Sequence, residues 1–465
     1  MKIVNQNENV ESVLDDAEIC ALKETFGLGG RPTERQRATA IEIFNEIAEP
    51  EERRWIQCDC LGQDRRNYPL LVPVSPKDKT RKKQLRRLVG PGRIPHDEFC
   101  PFLRDESEQA EVINSFSRPS GNEHFSLHNA FADEQNVAGG VIDDDKVPVE
   151  RRSSVVKYSR PTLGRLLAKL LLNAGLNIVP ETGFIPGREA AGRAITNALA
   201  KQIIRINRNV TVADVLRYGP NNYGRLRDHF TGLGDWPTGR PFCLYLTSLD
   251  GQNMPLNLLT EQGREYQISE PIRAPGWRNT LTSMNYVTLA TYGVPNPGAV
   301  PQLLRAYAQP TVEAFSWFPV DSRLEATTLI ALRDCYRVLR SEGYSIEIEK
   351  PLFNMPSLAA PGDVCIPDFI LNIKHRQKGQ YKVVVETMGA TSKNYRASKQ
   401  RTHPLMEALG PLVKHNAYVI FSFTADQKVE REKARKREED RFKQRILDVV
   451  RAYPTLLPAP DCEQL

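Results

Sequence analysis

The stretch IPDFILNIKHRQKGQYKVVVETMG, residues 366–389, carries the strongest fold signal in this chain of 465 residues. Its two apolar parts, Phe369–Ile373 and Tyr381–Glu386, have the β-branched and aromatic content that is typical of strands. The polar segment between them contains Gly379, which favours a tight turn. The stretch therefore predicts a hairpin in which one acidic residue precedes the first strand and another ends the second.

Asp368 and Glu386 are these two acidic residues, 18 positions apart. In an antiparallel pair, residues equally far from the turn lie side by side. With the turn centred on Lys378–Gly379, Asp368 is about ten residues before it and Glu386 about eight after, a mismatch that a bulge can absorb. Two carboxylates at one sheet end repel each other unless a cation or proton lies between them. Such oxygen ligands suit Mg²⁺ or Mn²⁺.

The segments around the hairpin alternate between helical and extended patterns. Arg323–Leu339 has apolar residues at helical spacing. Glu325 lies on the same stripe, four positions before Leu329, so its carboxylate faces the core and needs a partner, which the metal end of the sheet can provide. The remaining patterns predict the order α-β-β-β-α-β-α, with a strand at Tyr344–Ile348, a helix from Tyr395 to Leu409, a strand at Ala417–Phe423 and a charged helix from about Ala425 to Tyr453.

Three motifs in this region resemble those of the PD-(D/E)XK nuclease superfamily: SRLEA at 322–326, IPDF at 366–369 and VVVETMG at 383–389. The resemblance covers roughly residues 318–450 and implies a restriction-endonuclease-like αβββαβ core. It implies metal-dependent hydrolysis of a phosphodiester, with the cation held by Asp368 and Glu386 and joined by the carbonyl of Thr387. Glu325 would be an accessory acid.

One position departs from the superfamily pattern. The superfamily lysine stands two residues after the glutamate, where this chain has Met388. The following helix offers Lys399 as the first candidate and Lys393 as the second, and Tyr395, Lys399 and His403 share one helical face. An amine there would orient the attacking water or stabilise charge on the phosphate.

A cysteine and histidine cluster lies near the start of the chain. Cys58 and Cys60 are followed by His96 and Cys100, and together they can form a tetrahedral zinc site. The long segment between the two halves is tolerable because the cost of loop closure grows slowly with length. With four protein ligands the zinc would be structural. The alternative is two buried cysteines and a surface histidine.

A basic run lies between the two halves of this cluster. Lys77–Arg87 holds seven basic residues and one acidic residue. It predicts a phosphate-contact surface or, equally, a solvated loop or helix face. The charges of Lys428–Arg445 alternate in sign at helical spacing, which is typical of a self-paired solvent-exposed helix. The candidate phosphate contacts are Arg81, Lys82, Lys83, Arg86 and Arg87.

The length predicts a protein of two to four domains, and the alternating helical and extended patterns make it an α/β multidomain protein. With 40% hydrophobic residues and a net charge of +6, the chain permits a nucleic-acid partner without requiring one. No apolar run reaches the roughly 18 residues of a membrane span, and eight cysteines without a secretory signal predict a reducing cytoplasm. We divide the chain into a small zinc-binding module (1–117), a linker or long loop (118–155), a mixed α+β domain of unknown role (156–310) and a nuclease-like domain (311–465).

Three functional hypotheses follow from these patterns. The first is a zinc-containing nuclease that uses Mg²⁺ or Mn²⁺ to cleave DNA, with RNA as the other possible substrate. The second is an inactive nuclease fold that only binds nucleic acid. Met388 is the residue that distinguishes these two hypotheses, because it stands at the position of the superfamily lysine. The third is a zinc-stabilised scaffold for a protein partner. The Cys/His cluster and the nuclease-like motifs together also resemble an uncharacterised bacterial family associated with mobile elements and plasmids.

Overall fold

The computed structural model forms two compact units. The first contains Met1–Asn114, Ser154–Lys157 and Thr391–Thr402, and the second contains Ser115–Ser153, Tyr158–Ala390 and His403–Leu465. The structure describes residues 1–5, 7–26, 32–48, 54–59, 68–75, 83–88, 96, 102, 116, 160–206, 210–219, 223–233, 241–250, 258–261, 264–270, 272–275, 284–295, 298–314, 316–358, 363–389, 393–422 and 427–452.

The first unit is built on a five-stranded antiparallel sheet in the order β2-β1-β3-β4-β5. Two helices connect the second and third strands, and Thr33 caps the second helix with its side chain. The rings of Phe26 and Phe44 lie 5.5 Å apart in the core that these helices share with the sheet. The elements are β1 (Lys2–Val4), β2 (Val10–Val13), α1 (Asp16–Phe26), α2 (Glu34–Ile47), β3 (Trp55–Gln57), β4 (Leu70–Val74) and β5 (Gln84–Arg87).

The second unit begins with helices that cover a four-stranded sheet in the order β12-β11-β8-β7. The first helix described in this unit, Thr162–Asn173, is followed closely by Gly175, which has a φ of +67°. The elements are α3 (Thr162–Asn173), β6 (Ile178–Val179), α4 (Arg188–Lys201), α5 (Val212–Val215), β7 (Leu216–Tyr218), α6 (Tyr223–Thr231), β8 (Phe242–Asp250), β9 (Leu258–Glu261), β10 (Arg264–Gln267), β11 (Asn285–Gly293) and β12 (Gln302–Thr311).

The rest of the second unit holds a five-stranded mixed sheet in the order β18-β17-β16-β13-β6. Among the described strand pairs of this sheet, β17–β18 is parallel and the other three are antiparallel. The predicted order α-β-β-β-α-β-α is present, with a short pair of two-residue strands inserted. The elements are α7 (Arg323–Ser341), β13 (Tyr344–Glu349), β14 (Met355–Pro356), β15 (Val364–Cys365), β16 (Phe369–His375), β17 (Gly379–Thr387), α8 (Lys393–Glu407), β18 (Leu412–His415) and α9 (Lys428–Ala452).

The two faces of this sheet are covered by different helices. Val383 and Val385 of β17 pack in one core with α7 and α9. Val384, which points to the opposite face, packs against Leu405 and Met406 of α8. Side chains of β17 therefore alternate between the two cores.

The prediction of a strand at Ala417–Phe423 is wrong. Ala417–Ser422 forms a 3₁₀ helix, and the last strand of the sheet is instead Leu412–His415. It runs parallel to the last four residues of β17 and ends where its partner ends. The amide of Met388 donates to the His415 carbonyl, and the Tyr418 amide donates to the Met388 carbonyl. The β-ladder between β17 and β18 ends there, so the apolar residues after it have no strand to pair with.

The charged helix α9 is only in part the solvent-exposed helix that its sequence predicts. Phe442, Ile446 and Val450 are fully buried and lie on one stripe that packs in the core with α7. Glu439 pairs with Arg435 and Lys443 along the helix. Three apolar residues at the correct spacing are thus enough to anchor a helix that is otherwise charged. No helix in the described part of the chain is long and apolar enough to cross a membrane.

Candidate functional site

The hairpin brings Asp368 and Glu386 directly opposite each other. Strands β16 and β17 pair from Phe369↔Val385 to His375↔Gly379 without a register shift. One further step in this register places Asp368 beside Glu386. The turn is centred on Gln377 and not on Lys378–Gly379 as predicted. The expected mismatch therefore does not exist, and no bulge is needed.

Both carboxylates lie at the same end of the sheet. Asp368 Oδ2 accepts a hydrogen bond of 2.6 Å from the amide of Thr387. Glu386 is completely buried. Residues directly opposite in an antiparallel pair point to the same face, which for Glu386 is the face of Val384. The arrangement supplies two carboxylates and the backbone of Thr387 at one strand end.

Glu325 lies in the first turn of α7 and is 7% exposed. Its amide is capped by the hydroxyl of Ser322 at 3.2 Å. Its Oε2 accepts a hydrogen bond from the amide of Asp321 at 2.9 Å and another from Lys350 Nζ at 2.7 Å. The inward-facing carboxylate therefore has the partner that the sequence argument requires, and this partner is a lysine.

Lys350 is a member of the site that the sequence argument missed. It follows β13 and is 1% exposed, and its Nζ lies 2.7 Å from Glu325 Oε2 and 3.0 Å from Asp321 Oδ2. Its ammonium is also 5.7 Å from the centre of the Phe369 ring. A signal was present: Tyr344, Ile346 and Ile348 alternate into the core, and Lys350 is the next position in that alternation.

The charges of three carboxylates affect the pKa of Lys350, and the charge of Lys350 affects the pKa of Glu325 and of Asp321 in turn. Burial raises the pKa of Glu325 to about 8; Lys350 opposes the rise and the charges of Asp368 and Asp321 add to it. Burial alone would lower the pKa of Lys350, but Asp321, Glu325 and Asp368 outweigh it and raise that pKa. Burial alone would raise the pKa of Asp321, but the charges of Lys350 and Arg160 lower it below its ordinary value. Asp368 is therefore within the electrostatic reach of the lysine and of Glu325.

Residues from the earlier part of the unit also reach Asp321. Gln309 of β12 donates through Nε2 to Asp321 Oδ1 at 3.1 Å and to the Val320 carbonyl at 2.6 Å. Arg160, which is 3% exposed, donates to the carbonyl of Leu352 at 2.6 Å. No motif in the sequence indicates these contacts, because each joins residues from separate elements.

A chain of hydrogen bonds supports the end of β17 from the other face. Thr387 Oγ1 donates to Thr328 Oγ1 of α7 at 2.9 Å. The same Thr328 oxygen lies 2.7 Å from Nδ1 of His415. The ring of His415 stacks on Phe442 at 4.5 Å. The backbone next to Glu386 is thus fixed by contacts to α7, β18 and α9.

The lysine assignment stays a prediction. Helix α8 spans Lys393–Glu407, begins two residues before the predicted Tyr395 and therefore contains both candidates. Both fall within Thr391–Thr402, which belongs to the first compact unit, whereas the carboxylates belong to the second. Lys399 is half-buried, and the side chain of Lys393 lies outside the described residues. Met388 is 8% exposed.

The predicted zinc ligands are described only in part. Cys58 is 1% exposed and packs in the core of the first unit. His96 Nε2 lies 2.7 Å from the carbonyl oxygen of Leu70, which can only accept, so this nitrogen carries the proton. Cys60 and Cys100 lie outside the described residues. Within the described ranges no group of three or more His, Cys, Asp or Glu side chains has metal-binding geometry.

The basic run includes strand β5, where a loop or helix face was expected. Arg87 is 8% exposed and donates to the Phe102 carbonyl at 3.1 Å, so its guanidinium holds the unit together. Arg86 bonds Gln84 at 2.9 Å, and Lys83 bonds Asn45 at 2.5 Å. The predicted contacts Arg81 and Lys82 lie outside the described residues.

The sheet and its two flanking helix layers, with the acidic residues at the ends of the central hairpin, define a restriction endonuclease-like domain. Residues 321–449 match a family model described as a restriction endonuclease-like C-terminal domain, which confirms the predicted nuclease-fold core. Two further segments match domains of unknown function, residues 1–106 (DUF8534) and 119–311 (DUF8535).

One curated relative is similar to a short part of the chain. It is an "Uncharacterized protein in cib 5'region" from Escherichia coli, 36% identical over 98 residues, which are 20% of this chain. The chain spans 45% of the length of that protein. No solved structure matches the chain.

Proposed function

We propose that this protein is a nuclease that hydrolyses phosphodiester bonds in DNA with the help of Mg²⁺ or Mn²⁺. The observation that carries the proposal is the placement of Asp368 opposite Glu386 at the end of the hairpin in a restriction endonuclease-like domain. Two hard oxygen ligands side by side suit a small divalent cation. The backbone carbonyl of Thr387 is a third candidate ligand.

The donor set fits such a cation by charge as well as by chemistry. Asp321, Glu325 and Asp368 lie within electrostatic reach of Lys350, and the fully buried Glu386 stands beside Asp368. Carboxylates gathered in a buried site repel one another unless positive charge compensates them. A divalent cation between Asp368 and Glu386 would supply that charge.

The chain's own residues have distinct tasks in this reaction. A bound cation would polarise the phosphate and lower the pKa of a bound water. The Thr387 amide fixes the orientation of the Asp368 carboxylate, and Thr328 fixes the end of β17. In our proposal Lys399, or in second place Lys393, orients the attacking water. Lys83 and Arg86, with Arg81 and Lys82, contact backbone phosphates.

In the first unit we infer a structural zinc ion held by Cys58, Cys60, His96 and Cys100. The hydrogen bond from His96 Nε2 to a backbone carbonyl supports it. Histidines that ligate metals with one ring nitrogen commonly donate the other to a carbonyl, which fixes the ring. Zinc bound by four protein ligands would stabilise this unit and take no part in hydrolysis.

The test is cleavage of plasmid and linear DNA by the full-length protein with Mg²⁺, Mn²⁺ or EDTA. Asp368→Asn and Glu386→Gln should each lower cleavage by roughly a hundredfold or more and spare DNA binding, because they remove ligands of the cation. Asp334→Asn, an acid in surface ion pairs on α7, is the matched control and should cut normally. Lys399→Ala should slow cleavage strongly, and Lys393→Ala should not.

Two results would redirect the proposal. Equal cleavage by wild-type protein and Asp368→Asn would place the chemistry elsewhere in the chain. Wild-type protein that binds DNA and cuts none of the substrates with any of the cations would favour the hypothesis of an inactive nuclease fold.

A further inference from the structure

The buried Lys350 stands among three acidic residues, of which Glu325 is buried and Asp321 and Asp368 are half-buried. Its ammonium contacts Glu325 Oε2 at 2.7 Å and Asp321 Oδ2 at 3.0 Å. The ammonium also lies 5.7 Å from the centre of the ring of Phe369, the chain neighbour of Asp368, so the charge of Asp368 acts on it too. The lysine is 1% exposed, so it is not placed to touch a substrate phosphate. Its effect on the candidate metal site has to pass through the neighbouring carboxylates.

The hydrogen bonds divide these carboxylates into two kinds. Asp321 uses one oxygen for Lys350 and the other for Gln309. Glu325 Oε2 is shared between Lys350 and the Asp321 amide. Asp368 uses Oδ2 for the Thr387 amide, and its Oδ1 has no hydrogen-bond partner among the residues that the structure describes. Two acids are therefore bound to the lysine, and the third has one oxygen without a hydrogen-bond partner among the described residues.

We infer that Lys350 is the internal counter-ion of the candidate site, holding Glu325 and Asp321 as its own partners and competing with a divalent cation for the negative charge of Asp368. The inference rests on the proposed function, since it concerns the same site. Lys350 is a positioning residue here, and its positive charge sets how tightly the site binds the metal.

The backbone of Lys350 is fixed as firmly as its ammonium. Its amide donates to the carbonyl of Asn177 at 2.8 Å, and Asn177 Nδ2 donates back to the Lys350 carbonyl at 3.0 Å. Gln309 holds Asp321 in the same way from β12. A fixed charge in a poorly hydrated site acts on its neighbours more strongly than a mobile charge in water. The counter-ion is therefore preorganised.

The inference is tested by calorimetric titration of the full-length protein with Mn²⁺. Lys350→Met keeps most of the side chain and removes the charge, so Mn²⁺ should bind about tenfold more tightly. In EDTA the same variant should unfold at a lower temperature, because Asp321 and Glu325 lose their partner. Lys350→Arg should restore the wild-type affinity. Lys374→Met, which removes an exposed lysine of the same sheet, is the matched control and should change neither value.

An unchanged or weaker Mn²⁺ affinity in folded Lys350→Met would overturn the inference. A second variant covers the case in which Lys350→Met does not fold. Asp321→Asn keeps the shape of the side chain and takes one partner from Lys350, so more of the lysine's charge acts on Asp368. Mn²⁺ should then bind roughly threefold or more weakly, and an unchanged affinity would count against the counter-ion.

The same titrations separate this inference from the proposed function. An Mn²⁺ affinity that falls in Asp368→Asn but does not respond to Lys350→Met overturns the counter-ion and leaves the nuclease proposal standing. If Lys350→Met raises the Mn²⁺ affinity of a protein that cuts no DNA, the counter-ion stands and the nuclease proposal is overturned. Wild-type protein that binds no Mn²⁺ overturns both.

Discussion

His415 should make the stability of the nuclease-like core depend on pH. The ring is 3% exposed, stacks on Phe442 and lies 2.7 Å from Thr328 Oγ1. Burial lowers its pKa to about 4; Arg445 acts in the same direction, and Glu438 and Glu439 oppose it. In the unfolded chain a histidine has a pKa of about 6.5. The unfolded state therefore takes up a proton at a higher pH than the folded state does.

The sign and the size of the effect follow from these two values. The stability that the neutral ring contributes is fully present above pH 6.5 and is lost as the pH falls toward 4. A shift of about 2.5 units corresponds to about 3 kcal/mol of unfolding free energy in total. Between pH 7 and pH 5 the expected loss is about 2 kcal/mol. A loss of that size is a large part of the stability of an ordinary domain.

Urea unfolding at several pH values between 7 and 5 measures this effect. His415→Asn, which keeps a polar group near Thr328 and cannot titrate in this range, should lose about 2 kcal/mol of the pH dependence. Phe442→Leu is the matched control, because it removes the stacked ring and keeps the histidine. It should be less stable at every pH and retain the slope. Equal slopes in wild-type protein and His415→Asn would refute the reasoning.

Two further predictions concern the first unit. Purified protein should contain about one zinc ion per chain, and Cys58→Ser or Cys100→Ser should lose the zinc and destabilise the unit. The control is Cys20→Ser, which replaces an exposed cysteine and should keep the zinc. Protein that folds fully without zinc would contradict the site. Replacing Arg81, Lys82, Lys83 and Arg86 by Ala should weaken DNA binding and lower the slope of log affinity against log salt by about 0.9 for each phosphate that is no longer neutralised. Arg87 is left unchanged because it holds the unit together, and an unchanged slope would assign the run to solvent.

The hairpin and its carboxylates could be predicted because their signals are local. A β-branched run, a polar turn and a second apolar run fix which strands pair, and antiparallel pairing then brings Asp368 to Glu386. The error lay in the position of the turn, by one to two residues, which changes the register and not the pairing. The helix α7 with its inward Glu325 was predicted from periodicity for the same reason.

Other features depend on contacts between distant segments, and no short pattern encodes them. The partner of Glu325 is 25 positions further on, and Gln309 reaches Asp321 from the preceding strand. The apolar run after His415 has strand-like composition, yet it folds as a 3₁₀ helix because β17 has already ended. In each case tertiary pairing overrides the local preference.

The surroundings of the candidate site are not built from the matched segment 321–449 alone. Strand β6, within the segment matched to a domain of unknown function, completes the sheet beside β13, and Asn177 next to it clamps the backbone of Lys350. Trp317 donates to Ser248 at 2.8 Å and packs in one core with α3 and Leu352. Substitutions in residues 160–311 that loosen this core would therefore alter the charge balance at Asp368 without touching a carboxylate. Asn177 and Gln309, both in that region, contact Lys350 and Asp321 directly.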